Sequence, residues 1–154
     1  MQAWLFVYVS LFYLLGLLAK TTTGSCSSSS KRGLVDVHQV QAQYEAEDPP
    51  ILSSSPLLSW VYNYGPSPGN PFPYGNLSFV PMAHDATQAQ TFLSTVQGGP
   101  NYGYALGFNE PDQGAGAGGS SLDVGDAVNL WNTQIEPLAQ MGYQLGAPAG
   151  ILFL

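Results

Sequence analysis

Glu110 is the residue whose position is best suited to chemistry, because it stands between an apolar run and a glycine-rich segment. The run 104–108 predicts a fully buried strand, and Pro111 followed by the glycines of 113–119 predicts a loop. In a parallel β/α barrel, the carboxyl ends of the strands form the catalytic face. A carboxylate at that junction is placed to act as a general acid or base. The alternative is a turn that carries a solvated glutamate.

Further candidate side chains lie at the ends of the two strands predicted over 58–64 and 77–82. Trp60 and Tyr62 are two residues apart and therefore share one face of the strand. They are interpreted either as platforms for a ligand or as part of the core. Asn63 lies at the exit of that strand. His84 follows the next strand, on the same side of the predicted sheet. It is interpreted either as a hydrogen-bond partner of the substrate or as an ordinary loop histidine.

Five strands must position these side chains, and alternation with helices predicts a parallel α/β fold. The polar stretch 38–48 is weakly helical and ends at Pro49-Pro50. A helix over 87–97 is predicted from its apolar face, with Thr87 and Gln90 as a capping box and Gly98 as its stop. The predicted strands are residues 31–37, 58–64, 77–82, 104–108 and 143–148.

A second helix is predicted from an apolar stripe at helical spacing. Ser120 and Asp123 are its predicted cap, Pro137 its kink and Gly142 its end. Trp131 is interpreted as core because it belongs to the stripe, which comprises Val124, Val128, Trp131, Ile135 and Leu138.

The composition excludes several classes of partner. Charged residues make up 8% of the chain, the net charge is -7, and Lys and Arg together number three. A nucleic-acid partner needs a basic surface, and an anionic membrane needs one too, so neither is expected. Nine Tyr and three Trp with few charges suit a secreted protein that binds neutral sugars.

Residues 1–24 are predicted to be a signal peptide, cleaved after Gly24, because 1–19 are nearly all apolar and a polar run follows. A retained membrane anchor is the alternative. Residues 25–30 form a serine-rich spacer, and 31–154 form one domain. The expected location is extracellular or in a cell wall. Asn76-Leu77-Ser78 is a glycosylation sequon, so Asn76 is predicted to be glycosylated.

Five segments resemble glycoside hydrolase family 128, the fungal alkali-sensitive-linkage-like glycosyl hydrolases. They occur in the family's order at 31–35, 58–66, 79–82, 106–112 and 145–149. The resemblance implies a (β/α)₈ barrel that cleaves β-1,3-glucan with retention, without metal or organic cofactor, in a fungal protein that is secreted or wall-associated. A metal site is not expected from the sequence either, since two histidines and scattered carboxylates match no ligand pattern.

Asn109-Glu110-Pro111 also resembles the Asn-Glu-Pro element of the clan A retaining enzymes. This resemblance implies that Glu110 is the general acid/base at the end of the fourth strand and that Asn109 binds the sugar 2-hydroxyl. Trp60, Tyr62, Asn63 and His84 are then the candidate substrate-binding residues, and β-1,3-glucan is the expected partner.

A retaining glycosidase needs a second carboxyl about 5–5.5 Å from the first. The resemblance places that nucleophilic Glu at the end of a seventh strand, beyond Leu154, and a whole barrel takes roughly 250 residues. We therefore expect five of eight strands, in a retaining β-1,3-glucanase or an N-terminal fragment of one, with very low hydrolysis by this chain alone. The alternatives are a non-catalytic glucan-binding wall protein and an inactive truncated fragment.

Overall fold

The computed structural model of the protein describes residues 31–37, 48–69 and 72–150. The predicted leader over 1–24, the spacer over 25–30, most of the polar stretch 38–48 and residues 151–154 lie outside these ranges. Within the described ranges, no helix has the length and apolar character needed to cross a bilayer.

Five strands run parallel to one another in chain order. The strands are β1 (Arg32–Val35), β2 (Leu58–Tyr62), β3 (Ser78–Phe79), β4 (Tyr104–Leu106) and β5 (Gln144–Gly146). The pairs β1–β2, β2–β3 and β4–β5 are all parallel, and a parallel bridge between Met82 and Leu106 joins the two groups. The predicted parallel order is therefore confirmed, with each strand shorter than predicted. The described strands do not close into a barrel.

The two prolines at 49–50 begin a helix instead of ending one. Helix α1 spans Asp48–Ser53, so the prediction for this segment is wrong. Proline is tolerated in the first turn of a helix, because its missing N–H has no partner inside the helix at that position.

The helix predicted over 87–97 is divided in two, α2 (Ala86–Ala89) and α3 (Phe92–Gln97). Thr91 adopts φ -118° and ψ 7°, which interrupts the helical backbone between them. The predicted capping box of Thr87 and Gln90 is also wrong. The cap is Asp85, whose Oδ1 accepts a hydrogen bond from the Gln88 N–H at 2.9 Å. Gly98 ends α3, as predicted.

The second predicted helix changes its winding twice. It begins as α4 (Val124–Leu130), continues as a π-helix over Trp131–Ile135 and ends as a 3₁₀-helix over Glu136–Met141. Pro137 has no N–H to donate to the preceding turn, so the α-helical ladder cannot continue through it. Gly142 ends the segment at φ 87°, as predicted.

Of the two predicted cap residues only Asp123 is confirmed, and the predicted stripe is buried only in its C-terminal part. Asp123 caps α4 by accepting from the Gly125 N–H at 2.8 Å, whereas the Ser120 hydroxyl is buried without a partner. In the stripe, Ile135 and Leu138 are fully buried, but Val124 is 77% exposed. Val124 and Val128 are exposed while Ala127 and Leu130 of the same helix pack against the core, so only the C-terminal part of the stripe is buried.

The core consists of two buried clusters on one side of the strands, one between β4 and the helices and one that the loop before β3 covers. Val61, Phe79 and Ala105 are buried on that side of β2, β3 and β4. Side chains alternate along a strand, so Trp60, Tyr104 and Leu106 lie on the opposite face, where they line a cavity of about 460 Å³. We call the first side the helix-covered face and the second the open face.

Candidate functional site

Glu110 lies beyond the carboxyl end of β4, at the predicted position. Asn109 before it forms a parallel bridge with Ala149, which follows β5, so the two chains still run side by side at this point. Glu110 itself has φ 42°, a left-handed conformation that a non-glycine residue adopts at an energetic cost. Pro111 follows directly. The backbone therefore turns sharply at Glu110, and the half-buried side chain stands at the strand exit.

The glycine-rich loop folds back onto Asn109 and Glu110. The Gln113 side-chain amide donates to Glu110 Oε2 at 3.3 Å and to the Ala117 carbonyl at 2.8 Å. The Asn109 side-chain amide donates to the Gly118 carbonyl at 3.1 Å. An asparagine amide has a second N–H and a carbonyl oxygen, and these groups of Asn109 remain for a ligand.

His84 lies next to this site at the neighbouring strand end. Its carbonyl accepts a hydrogen bond from the Asn109 N–H at 3.0 Å. Its Nδ1 is 3.7 Å from Asp85 Oδ2, and its ring meets the Tyr64 ring edge to face at 5.7 Å between centroids. The structure therefore places His84 beside Asn109, and contact between His84 and a substrate stays a prediction.

A row of aromatic rings leads from β2 towards His84. Trp60 and Tyr62 stack at 6.1 Å with an interplanar angle of 27°, which confirms that they share one face. Tyr62 meets the Tyr64 ring at 5.2 Å. Burial raises the pKa of Tyr62 to about 12, and the hydrogen bond and the electrostatic interaction with the Tyr64 side chain contribute to this rise. Trp60, Tyr62, Tyr64 and His84 are all partly exposed.

The Asn63 side chain makes two hydrogen bonds within its own loop. Its amide donates to the Ser67 carbonyl at 3.0 Å, and its Oδ1 accepts from the Gly65 N–H at 3.1 Å. These bonds form an Asx turn that shapes the exit of β2. Contact between Asn63 and a substrate stays a prediction.

Asn76 lies in the exposed loop that enters β3, at the end of the sheet opposite to Glu110. Its amide is 3.5 Å from the Ser53 carbonyl. Glycosylation there stays a prediction.

Trp131 and Glu136 have structural contacts. The Trp131 indole packs on the backbone at Gly107, where a β-carbon would lie 2.7 Å from it, and its N–H donates to Glu136 Oε2 at 2.8 Å. The interpretation of Trp131 as core is confirmed by its packing against the buried cluster. In residues 31–37, 48–69 and 72–150, no three His, Cys, Asp or Glu side chains gather as a metal site would require.

The chain was compared with known proteins. Residues 40–151 match the family model of the glycosyl hydrolase catalytic core. The chain belongs to this family. The resemblance to glycoside hydrolase family 128 is confirmed by solved structures of that family, described next. No match was found among curated proteins.

Two of the solved structures are family 128 oligosaccharide-binding proteins of subgroup VII. The protein from Trichoderma gamsii is 26% identical with a TM-score of 0.53, over 79% of this chain and 46% of that one. The protein from Cryptococcus neoformans is 24% identical with a TM-score of 0.57, over 79% and 44%.

A third solved structure shares the fold. It is a subgroup VI exo-β-1,3-glucanase from Aureobasidium namibiae, 20% identical with a TM-score of 0.57, over 79% of this chain and 46% of that one. The chain thus spans less than half the length of these family 128 proteins.

Two glutamines at the site of this glycosyl hydrolase core are not predicted from the sequence. Gln88 contacts the loops that follow β2 and β3, and Gln113 contacts Glu110. Asp85-x-x-Gln88 has the spacing of a capping box, and this signal could have indicated Gln88. Gln113 lies among glycines and has no sequence signal.

Proposed function

We propose that the Asn109–Glu110 site hydrolyses β-1,3-glucan with retention and that Glu110 is its general acid/base. One observation carries the proposal. In a chain of the glycosyl hydrolase catalytic core, Glu110 stands at the carboxyl end of a strand in a parallel series of five, with Asn109 beside it. In a (β/α)₈ barrel, of which we propose these strands are part, that end carries the catalytic residues.

In the proposed reaction, the Glu110 carboxyl gives its proton to the glycosidic oxygen as the bond from that oxygen to the anomeric carbon breaks. A carboxylate on the other side of the sugar forms a bond to the anomeric carbon. Water then attacks that carbon, Glu110 takes a proton from the water, and the carboxylate leaves. The family resemblance places the second carboxylate at the end of a seventh strand, beyond Leu154.

Three described groups assist Glu110 in this proposal. The Gln113 amide, 3.3 Å from Glu110 Oε2, limits the rotation of the carboxyl group. The remaining polar groups of Asn109 bind a sugar hydroxyl. The partly exposed rings from Trp60 to His84 pack against successive sugars, and the Tyr62 hydroxyl keeps its hydrogen bond to the Tyr64 side chain.

Oligosaccharide binding without hydrolysis is the second candidate function. The Trichoderma gamsii structure, which matches this chain at 26% identity, is described as an oligosaccharide-binding protein of family 128. The aromatic row serves this function as well as hydrolysis, since ring packing requires no catalytic carboxyl.

Binding and cleavage can be separated with the purified 154-residue chain. Binding is measured by co-sedimentation with insoluble β-1,3-glucan, and cleavage by reducing-sugar release from laminarin. We expect clear binding and very low release, because the proposed site needs the second carboxylate. A chain that does not sediment with the glucan would contradict both candidate functions.

A chimera supplies the second carboxylate by joining residues 31–149 to the remaining strands of an active glucanase of the family. We expect release from laminarin, and Glu110→Gln should reduce it by about 10²-fold or more, the usual effect of a general acid. The matched control is Gln90→Met, at an exposed position. A chimera that folds and binds glucan but releases no sugar would favour the second candidate. Equal release by Glu110→Gln and by its parent would refute the role of Glu110.

We also propose that the protein is exported and that Asn76 is glycosylated in a eukaryotic host. The support is the apolar leader, the sequon and the exposure of Asn76. Treatment of secreted protein with an N-glycosidase should increase its gel mobility, and the increase should be lost in Asn76→Gln. Unchanged mobility of the treated wild type would refute glycosylation.

A further inference from the structure

Gln88 makes three hydrogen bonds that connect two loops of the candidate site. Its backbone N–H donates to Asp85 Oδ1 at 2.9 Å, which anchors the residue in the first turn of α2. Its side-chain Oε1 accepts from the His84 N–H at 3.1 Å. Its side-chain Nε2 donates to the Tyr64 carbonyl at 3.0 Å. A backbone hydrogen bond from the Met82 N–H to the Gly65 carbonyl, at 2.9 Å, already joins the loop after β2 to the segment after β3. The Gln88 amide adds a side-chain connection between Tyr64 and His84 in the same two loops.

The two residues that the Gln88 side chain contacts both shape the site. Tyr64 has φ 57°, a conformation that a non-glycine residue holds only where its surroundings fix it. His84 is bonded to the next strand end, because its carbonyl accepts a hydrogen bond from the Asn109 N–H at 3.0 Å. Gln88 is therefore linked through His84 to the residue that precedes Glu110.

We propose that Gln88 is a positioning residue of this site. It sets the Tyr64 ring against the His84 ring, at 5.7 Å between centroids, and thereby fixes the aromatic row beside Asn109. The inference that this arrangement serves sugar binding rests on the proposed function. The arrangement itself does not, because it concerns only contacts within the chain.

The chemistry of the two contacts requires an amide. One contact needs an acceptor for the His84 N–H, and the other needs a donor for the Tyr64 carbonyl. Glutamate supplies only the acceptor and turns a charged oxygen towards the Tyr64 carbonyl. Methionine has a similar shape but supplies no donor and only a weak acceptor. Gln88→Glu thus removes only the contact with the Tyr64 carbonyl, and Gln88→Met removes both contacts.

The ligand-free chain gives the first measurement, by NMR. An aromatic ring shifts the NMR resonance of a proton that lies near its face. The chemical shifts of the His84 and Tyr64 ring protons therefore report the edge-to-face contact. Exchange of the His84 amide proton reports its bond to Gln88. We expect Gln88→Met to lose both signatures and Gln88→Glu to keep the amide protection while the ring signals move. The control Gln90→Met, two residues away and exposed, should retain both.

The second measurement is the affinity for laminaritriose, by calorimetry on the same four proteins. We expect Gln88→Met to bind about tenfold more weakly, a loss typical of polar groups left unpaired. Urea unfolding of each variant separates this loss from a loss of folded protein, since affinity is measured where every variant is fully folded.

The outcomes are distinguishable. Unchanged ring and amide signals in Gln88→Met would overturn the positioning role, whether or not the wild type binds sugar. Changed signals with unchanged affinity would overturn the link between Gln88 and the sugar site. A wild type that binds no laminaritriose would overturn the proposed function, while the NMR signals would still decide the position of the rings.

Discussion

The two faces of the sheet differ in how completely this chain buries them. On the helix-covered face, Val61 and Ala105 are 1% and 0% exposed. On the open face, Tyr104 is 51% exposed, and the face lines a cavity of about 460 Å³. Residues next to each other in one strand therefore have opposite environments. The stability of the described part should come mainly from the helix-covered face.

The largest expected effect is on stability, from truncation of a helix-covered side chain. Phe92 is 0% exposed in the cluster under α3. Phe92→Ala should lower the free energy of unfolding by about 3–5 kcal/mol, the usual cost of deleting a buried ring. Tyr104→Ala on the open face is the matched aromatic truncation and should cost less than about 1 kcal/mol. Urea unfolding measures both, and similar losses would show that the two faces contribute equally.

A glycine-to-alanine substitution should also cost more stability on the helix-covered face than on the open face, with a smaller difference between the two. At Gly107 a β-carbon would lie 2.7 Å from Trp131 and 3.2 Å from the Gly146 carbonyl, a backbone atom that cannot move alone. Gly107→Ala should therefore cost about 1–3 kcal/mol of stability, as overpacking usually does.

At Gly33 a β-carbon would lie 2.1 Å from the Trp60 ring. This ring borders the open cavity and can move into it. Gly33→Ala should thus cost less stability than Gly107→Ala but should change the tryptophan fluorescence. If Gly33→Ala is the more destabilising substitution, the open face is more rigid than its exposure indicates.

The smallest expected effect is the pH dependence of stability from Tyr62 on the open face. Its pKa is raised from 10.0 to about 12, first by burial. The folded chain therefore keeps this proton after the unfolded chain has lost it, so stability is unaffected below about pH 10 and falls as the pH rises towards 12.

Tyr62→Phe should weaken this fall, as measured by urea midpoints between pH 9 and 12. Part of the slope should remain, because burial also raises the pKa of Tyr102. An unchanged slope in Tyr62→Phe would show that Tyr62 is as solvated in the folded chain as in the unfolded one.

The sequence was sufficient for features that depend on local pattern. The five parallel strands follow from apolar runs between turn residues, and the position of Glu110 follows from the break at Pro111. The shared face of Trp60 and Tyr62 follows from the two-residue repeat of a strand.

Features that depend on contacts between distant residues were missed. The missed cap at Asp85 is an exception, because its spacing to Gln88 is a local signal that the sequence contains. The π-helix at Trp131 accompanies the packing of the indole on Gly107, which lies 24 positions earlier in the chain. The bond from Gln88 to the Tyr64 carbonyl likewise spans 24 residues. No window of sequence contains both partners of these contacts.

The order of the strands has a consequence for synthesis of the chain. Each described strand pairs with the strand before it, and the Met82–Leu106 bridge continues the same order. A ribosome therefore releases every strand after its partner has already emerged. No described strand therefore has to insert between two strands that were synthesised and paired before it.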